Sequence, residues 1–252
     1  MIKPRAFIDI HKKVLSYLFS CELDLNNCKI LDAAAGNGYL SYHIIKNYPQ
    51  VFINQVDCDL QDLIENGFSP IYCDLNDDLP FSENYFDIVI SLETIEHLEN
   101  PYHFIRELTR VVKNDGLIIL STPNVHSAKS RIRNFLYCLP CMFDYISDDG
   151  FGQHISQVSF PMINYISAIN RLTVTRLLPA YNGYNSKVKF FYYIFNYITL
   201  AFFYFSSKFR KGDNFVKHYD IDFLSKFLKS DVFIVVLKKK WQLQINNNAI
   251  QS

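Results

Sequence analysis

A glycine-bearing turn, two aspartates 25 positions apart and a pair of histidines are the parts of this chain whose types and spacing could do chemistry. The turn reads Asp32-Ala-Ala-Ala-Gly36-Asn-Gly38 and lies between an apolar run and a helical pattern. Gly36 and Gly38 let the backbone approach a ligand closely and pack tightly against a helix start. Asp57 ends the second apolar run, where a carboxylate can accept both hydrogen bonds of a ribose diol. By themselves these residues fit a dinucleotide dehydrogenase too. Further on, Glu93-Thr-Ile-Glu96-His97 places three ionisable groups just past a strand, and His154 lies in Gly-Gln-His-Ile. Imidazole titrates near neutrality, so His97 and His154 are the candidate general bases for an oxygen nucleophile.

The elements that must position these residues alternate. Residues 8–20 have helical apolar spacing, and KILDA (29–33) is a short strand ending at the turn. YLSYHIIKN (39–47) follows as a helix, VFINQVD (51–57) as a strand, and LQDLIENG (60–67) as a short helix closed by Gly67. PIYCD (70–74) and FDIVISL (86–92) are the third and fourth strands, the latter almost continuously apolar, as a strand buried on both faces should be. PYHFIRELTRVVK (101–113) is an amphipathic helix with proline in its first turn, and Asn114-Asp115-Gly116 turns the chain into a fifth strand, 116–124. Strand and helix in alternation imply an α/β fold with a doubly wound, mostly parallel sheet, and right-handed crossovers put any ligand along the carboxyl edge. LTVTRL (172–177) and VFIVVLKKK (232–240) complete it as sixth and seventh strands, which leaves a hydrophobic insertion before the last strand.

Composition narrows the class. In 252 residues, 49% are hydrophobic and 20% charged, enough for a buried core. Lys+Arg and Asp+Glu both number 25, which argues against a protein whose main business is gripping nucleic acid. Six cysteines without a secreted-scaffold spacing, and an N-terminus without a signal-peptide pattern, predict reduced thiols and a cytoplasmic protein. Cys138-Leu-Pro-Cys141 is a lone pair, too little for structural zinc.

The ordered series of motifs resembles the class I S-adenosylmethionine-dependent methyltransferases, in particular small-molecule enzymes similar to the type 11 and type 23 methyltransferase domains. ILDAAAGNG looks like their acid-x-Gly-x-Gly-x-Gly turn, QVDCDLQ like the second-strand acid motif, and CDLNDDLPF like the adenine-contact motif. FDIVISLETIEHL, RVVKNDG and LIILSTPN match the fourth- and fifth-strand signatures. The resemblance covers residues 29–124 and implies a seven-stranded Rossmann-like methyltransferase fold, 1–252 as one methyltransferase domain, with 29–124 its cofactor-binding half and 126–231 on the acceptor side. It implies S-adenosyl-L-methionine as cofactor. Asp32, Ala34, Gly36 and Gly38 would form the turn, and Asp57 would hold the ribose hydroxyls. Cys58, Asp74 and the Leu75 backbone would meet the adenine, and the Leu92 backbone the methionine end. Ala34 departs from the pattern, standing where the family has its first glycine. A methyl group is tolerated there if φ stays negative.

Methyl transfer from a sulfonium is an in-line displacement that proximity and alignment accelerate, by roughly 7–11 kcal/mol in favourable cases. Glu93-x-x-Glu96-His97 resembles the ExxEH metal motif of ubiquinone-pathway O-methyltransferases and small-RNA 2′-O-methyltransferases, which implies Mg²⁺ or Mn²⁺ on Glu93, Glu96 and His97. Relatives with Glu-His at this point also work without metal. Phe190 to Phe205 contains ten Phe or Tyr in 16 residues, flanked by Lys187, Lys189, Lys208, Arg210 and Lys211. As a helix it would be about 24 Å long, too short to span a bilayer, and it reads as a segment lying on the inner face of the membrane, in the core, or in a dimer face. This platform and the run TPNVHSAKSRIRNFL followed by GQHIS resemble bacterial methyltransferases of cell-surface polysaccharide and lipid-linked sugar pathways. The expected activity is methyl transfer to a small-molecule or lipid-linked acceptor, to oxygen, on a glycan hydroxyl or quinone-type ring. The rival is a catalytically silent domain of the same fold that binds a membrane or a partner.

Overall fold

The computed structural model describes residues 2–3, 7–21, 24–143, 153–181, 194–195, 197–198 and 226–240. Helix α1 (Ile8–Ser20) precedes β1 (Lys29–Ala33), α2 (Tyr39–Asn47), β2 (Phe52–Asp57), α3 (Gln61–Glu65), β3 (Ile71–Tyr72) and β4 (Phe86–Leu92). A 3-10 turn (Ile95–His97), α4 (Pro101–Val111), β5 (Val112–Pro123), α5 (Ala128–Tyr137), α6 (Phe160–Ile169), β6 (Leu172–Tyr181) and β7 (Val232–Lys239) follow. The seven strands form one sheet in the order β3-β2-β1-β4-β5-β7-β6. The first five pair in parallel, and β7 runs antiparallel between β5 and β6. This is the doubly wound seven-stranded sheet expected from the sequence, and it draws strands from both halves of the chain.

Hydrophobic side chains fill both faces of the sheet. Residues of β4 divide between the faces: Ile88 and Ile90 join α1 and α2 residues such as Val14, Leu18 and Leu40, while Val89, and Phe86 before the register shift, join Phe104 and Leu108 of α4. α4 starts cleanly because the Asn100 side chain accepts from the His103 N–H at 2.9 Å and Pro101 sits at the first position. Its residues Phe104, Ile105, Leu108 and Val111 are fully buried, each burial contributing about 1.5–3 kcal/mol.

Three local details differ from expectation. β3 holds only two residues, because it is an edge strand paired to Val56 and Asp57 alone before the chain turns away at Cys73. The turn at Asn114–Gly116 is a bulge within β5: Phe86 pairs with Val112 and Ile88 with Leu117, and Asp115 takes φ +61°. α5 and α6 were not anticipated. Of the segment Phe190 to Phe205, only Ile194, Phe195, Tyr197 and Ile198 lie within the described residues, and the expectation for the remainder falls outside them. Among the described residues no helix is long and apolar enough to cross a membrane.

Candidate functional site

The carboxyl ends of β1, β2 and β4 lie side by side, so the turn, Asp57 and the Glu-His cluster share one edge of the sheet. The turn is closed by its own backbone and by Asp57. The Ala34 and Ala35 N–H groups donate to the Val56 carbonyl at 2.9 and 3.2 Å, and the Gly38 N–H to the Ala35 carbonyl at 2.9 Å. Asp57 Oδ2 accepts from the Gly36 N–H at 2.8 Å, and Oδ1 from the Asp59 N–H at 3.0 Å. An ionised carboxylate has about four acceptor sites, so both oxygens keep capacity for a diol. Gly38 opens α2 with φ +78°, and a Cβ there would lie 2.3 Å from Phe68 Cε2, so glycine is required.

Ala34 corrects the sequence argument. Its φ is +63°, not negative, so the alanine occupies the left-handed region that the family's glycine suits. An L-residue there costs roughly 1–2 kcal/mol. The surrounding hydrogen bonds, which fix the turn between β1 and β2, hold it in place.

Asp32 is buried and accepts from the Ser41 hydroxyl at 2.7 Å. Burial pushes its carboxyl up to about 6; the Ser41 hydrogen bond opposes the rise and the charge of Asp57 adds to it. Asp32 therefore braces the turn against α2 from below. Of the residues expected to meet adenine, Cys58 is exposed, its thiol raised first by desolvation and then by Asp57. Leu75 is buried, and Asp74 Oδ1 accepts from the Asn76 N–H at 2.9 Å, which shapes the loop. The Leu92 carbonyl accepts from the Thr94 hydroxyl at 3.0 Å.

Past β4 the chain bends at Glu93, whose φ of +51° is itself left-handed. Its N–H donates to Ser121 Oγ at 3.0 Å, and that hydroxyl donates to Glu93 Oε1 at 2.8 Å. Thr122 Oγ1 donates to Glu96 Oε2 at 3.0 Å. Burial drives the Glu93 carboxyl up to about 7 and that of Glu96 well above the usual range, with Glu93 adding to the second rise. Glu96 is wholly buried, and its Oε1 has no hydrogen-bond partner among the described residues.

His154 reaches this cluster through backbone bonds. The Ile155 and Ser156 N–H groups both donate to the Glu96 carbonyl at 2.9 Å, and the Ser156 hydroxyl donates to the Leu98 carbonyl at 2.6 Å. The His97 and His154 rings meet edge to face at 4.6 Å, with Phe143 at 5.2 Å from His154. His97 Nδ1 lies 2.9 Å from the Gln153 carbonyl, so Nδ1 carries the proton and Nε2 is the basic nitrogen. Donor atoms of Glu96, His97 and His154 all lie within 4.8 Å of one another. Glu93, expected beside Glu96 and His97 as a ligand, is instead engaged with Ser121, and His154 takes the third place. Sequence reading missed Ser41, Ser121 and Thr122; the only trace was a polar pair, Ser-Thr, ending an apolar strand. Of the other described histidines, His11 is edge-on to Tyr39 at 5.1 Å, and His103 pairs with Asp78 at 3.4 Å.

Residues 31–120 match the family model described as a methyltransferase domain. The ubiquinone biosynthesis O-methyltransferase of Rickettsia conorii is 29% identical over 106 residues, 40% of this chain and 37% of that protein. The ajmaline N-methyltransferase of Rauvolfia serpentina is 33% identical over 165 residues, 58% of this chain and 51% of that protein. The chain thus spans about half or less of the length of these two curated relatives. In fold it is similar to an S-adenosylmethionine-dependent methyltransferase from Archaeoglobus fulgidus, with a TM-score of 0.57, 16% identity, and 91% and 93% of the two chains covered. Residues 31–120 thus match a methyltransferase domain, and the sheet order is that of a class I S-adenosylmethionine-dependent methyltransferase fold.

Proposed function

We propose that the protein transfers a methyl group from S-adenosylmethionine to a hydroxyl of a small-molecule or lipid-linked acceptor, a glycan hydroxyl or a quinone-type ring. One observation carries the reading. The nucleoside-binding turn with Asp57 and the His97–His154 pair stand on the same sheet edge, on adjoining strand ends. The oxygen assignment is supported by the Rickettsia relative, an O-methyltransferase. The whole chain, 1–252, acting as one methyltransferase domain fits a sheet built from both halves. A cytoplasmic setting fits the six free cysteines.

The bound cofactor supplies a methyl group on a sulfonium that departs as a neutral thioether. Asp57 grips the ribose hydroxyls, the Gly36–Gly38 backbone cradles the methionine side, and Cys58, Asp74 and Leu75 border the adenine. His97 takes the acceptor's hydroxyl proton at Nε2, while the Gln153 carbonyl holds the opposite nitrogen. His154 packs against that imidazole and orients it. A divalent ion is the alternative to His97 as base, since Nε2 cannot hold a metal and take a proton together. Glu96 offers a buried oxygen unpartnered among the described residues, and Glu96, His97 and His154 would hold the ion, whose charge would lower the acidity barrier of the acceptor hydroxyl. Two imidazoles with one carboxylate suit Mn²⁺ better than Mg²⁺.

Calorimetric titration with S-adenosylhomocysteine tests the reading. Asp57→Ala should weaken binding by about 1.5–3 kcal/mol, the worth of a charge-assisted contact. Unchanged affinity would remove Asp57 from the site, and no binding by the wild type would favour a catalytically silent domain.

A further inference from the structure

The chain is neutral overall, yet its charges are sorted along the sequence. Residues 1–115 hold 18 acids and nine Lys or Arg, whereas residues 116–212 hold three acids and ten Lys or Arg. Charge asymmetry of this kind marks an interaction surface for an anionic partner. Within the basic stretch lies α5, AKSRIRNFLY, with three cations and no carboxylate. Only Ala128 and Ser130 of this helix are buried, while Phe135, Leu136 and Tyr137 are 87%, 60% and 61% exposed. Three consecutive large apolar residues in solvent at a helix end are not ordinary scatter.

The surroundings extend the surface. Arg131 lies over the Phe195 ring at 5.3 Å, and Lys229 over the Tyr197 ring at 5.7 Å. Ile194, Tyr197 and Ile198 are themselves exposed, so a second apolar group adjoins the first. Between α5 and the loop after it runs a cleft of about 350 Å³, lined by Ile132, Leu136, Tyr137 and Met142 together with Arg133 and with Lys129, which pairs with Asp231 at 3.7 Å. Apolar and cationic side chains lining one cleft match a phospholipid, which brings acyl carbon and phosphate together. Phe135 and Tyr137 offer faces to a base as well, but the exposed Leu136, Ile194 and Ile198 beside them suit acyl chains better than stacked bases.

We propose that α5, through Phe135, Leu136 and Tyr137 with Lys129, Arg131 and Arg133, docks the protein on an anionic phospholipid bilayer. Aromatic and aliphatic side chains enter the interface while the cations meet lipid phosphates. α5 begins five residues past the end of β5, so docking brings the edge bearing Asp57 and His97 toward the bilayer. The surface is independent of the methyl-transfer reading, because neither its residues nor its test involves the cofactor.

The test is co-sedimentation of the full chain with phosphatidylcholine vesicles containing 30% phosphatidylglycerol, beside pure phosphatidylcholine, at about 50 and 300 mM salt. The wild type should pellet with the anionic vesicles at low salt and be largely released at high salt. The Phe135→Ser/Leu136→Ser double variant should bind about tenfold or more weakly, with unchanged melting temperature and S-adenosylhomocysteine affinity. If that variant melts early, Arg133→Gln replaces it, expected to weaken binding about fivefold. Wild type left in the supernatant at low salt, or variants that pellet undiminished, would overturn the proposal. So would light scattering that shows a wild-type dimer made monomeric by the double variant, or tighter binding to a single-stranded oligonucleotide than to the vesicles.

Discussion

Replacing Asp32 by Asn should stabilise the protein in a pH-dependent way. Asp32 is 5% exposed and held near 6, mainly by burial, where an unfolded chain would titrate near 3.8. Its Oδ2 accepts from Ser41, a bond that the amide oxygen of Asn can also accept, so the substitution removes the ionisation and keeps the shape. The sign follows from proton counts. Between about pH 4 and pH 6 the native state keeps a proton that the unfolded state has released, so wild-type stability falls as pH rises through this window. Above pH 6 both states are ionised and the contribution is flat. The distance from 3.8 to about 6 corresponds to a loss on the order of 3 kcal/mol. Asp32→Asn should therefore match the wild type near pH 4 and exceed it by up to that amount at pH 7, in urea unfolding followed from pH 4 to 8. Glu93 and Glu96 are common to both proteins and cancel in the difference. A gap that stays constant with pH, or an Asn variant that is less stable at pH 7, would refute the reasoning.

Two turn variants should move in opposite directions. Ala34→Gly relieves a left-handed alanine worth roughly 1–2 kcal/mol, offset by about 0.4–1 kcal/mol of added chain entropy, and should raise the melting temperature by a few degrees. Gly38→Ala sets a methyl group 2.3 Å from Phe68 at φ +78° and should cost about 2 kcal/mol or more in urea unfolding. For the cation, Mn²⁺ added to chelator-treated protein should raise the melting temperature of the wild type and leave His154→Ala unmoved. An unshifted wild type ends the metal reading.

Where periodicity is strong, the sequence was a sufficient guide. The bounds of α1, β1, α2 and β4 coincide with the expected ones, because each has either a helical apolar stripe or a continuous buried run. α5 escaped notice because its face is exposed: a helix whose buried residues are Ala128 and Ser130 leaves no apolar stripe to read. The site was legible as far as local motifs reach. Asp32, Gly36, Gly38 and Asp57 stand together because adjacent parallel strands put them there. The meeting of His97 and His154 was not legible, since it depends on two N–H groups, of Ile155 and Ser156, finding one carbonyl 59 and 60 residues earlier. Backbone pairing of that kind has no side-chain signature. The positive φ of Ala34 was hidden for a similar reason: alanine is silent about a conformation that its neighbours impose.

The edge itself has an electrostatic character that the fold creates from scattered residues. Asp32 and Asp57 end or precede the turn on β1 and β2, and Glu93 and Glu96 follow β4, so four carboxylates converge where the parallel strands stop. Of these, Asp32, Asp57 and Glu96 are buried and Glu93 partly so. Burial raises the Asp32, Glu93 and Glu96 carboxyls, and a cation nearby would favour their charged forms. A sulfonium that also bears an ammonium group brings that cation, and its departure as a neutral thioether takes part of it away. On the proposed reading, these groups favour the charged form of the cofactor over the product. Ser41, Ser121 and Thr122 each donate one hydroxyl to these acids, which keeps them aligned without neutralising them. The cost of burying acid at this edge is, on the proposed reading, what gives the edge its preference for a positively charged methyl donor.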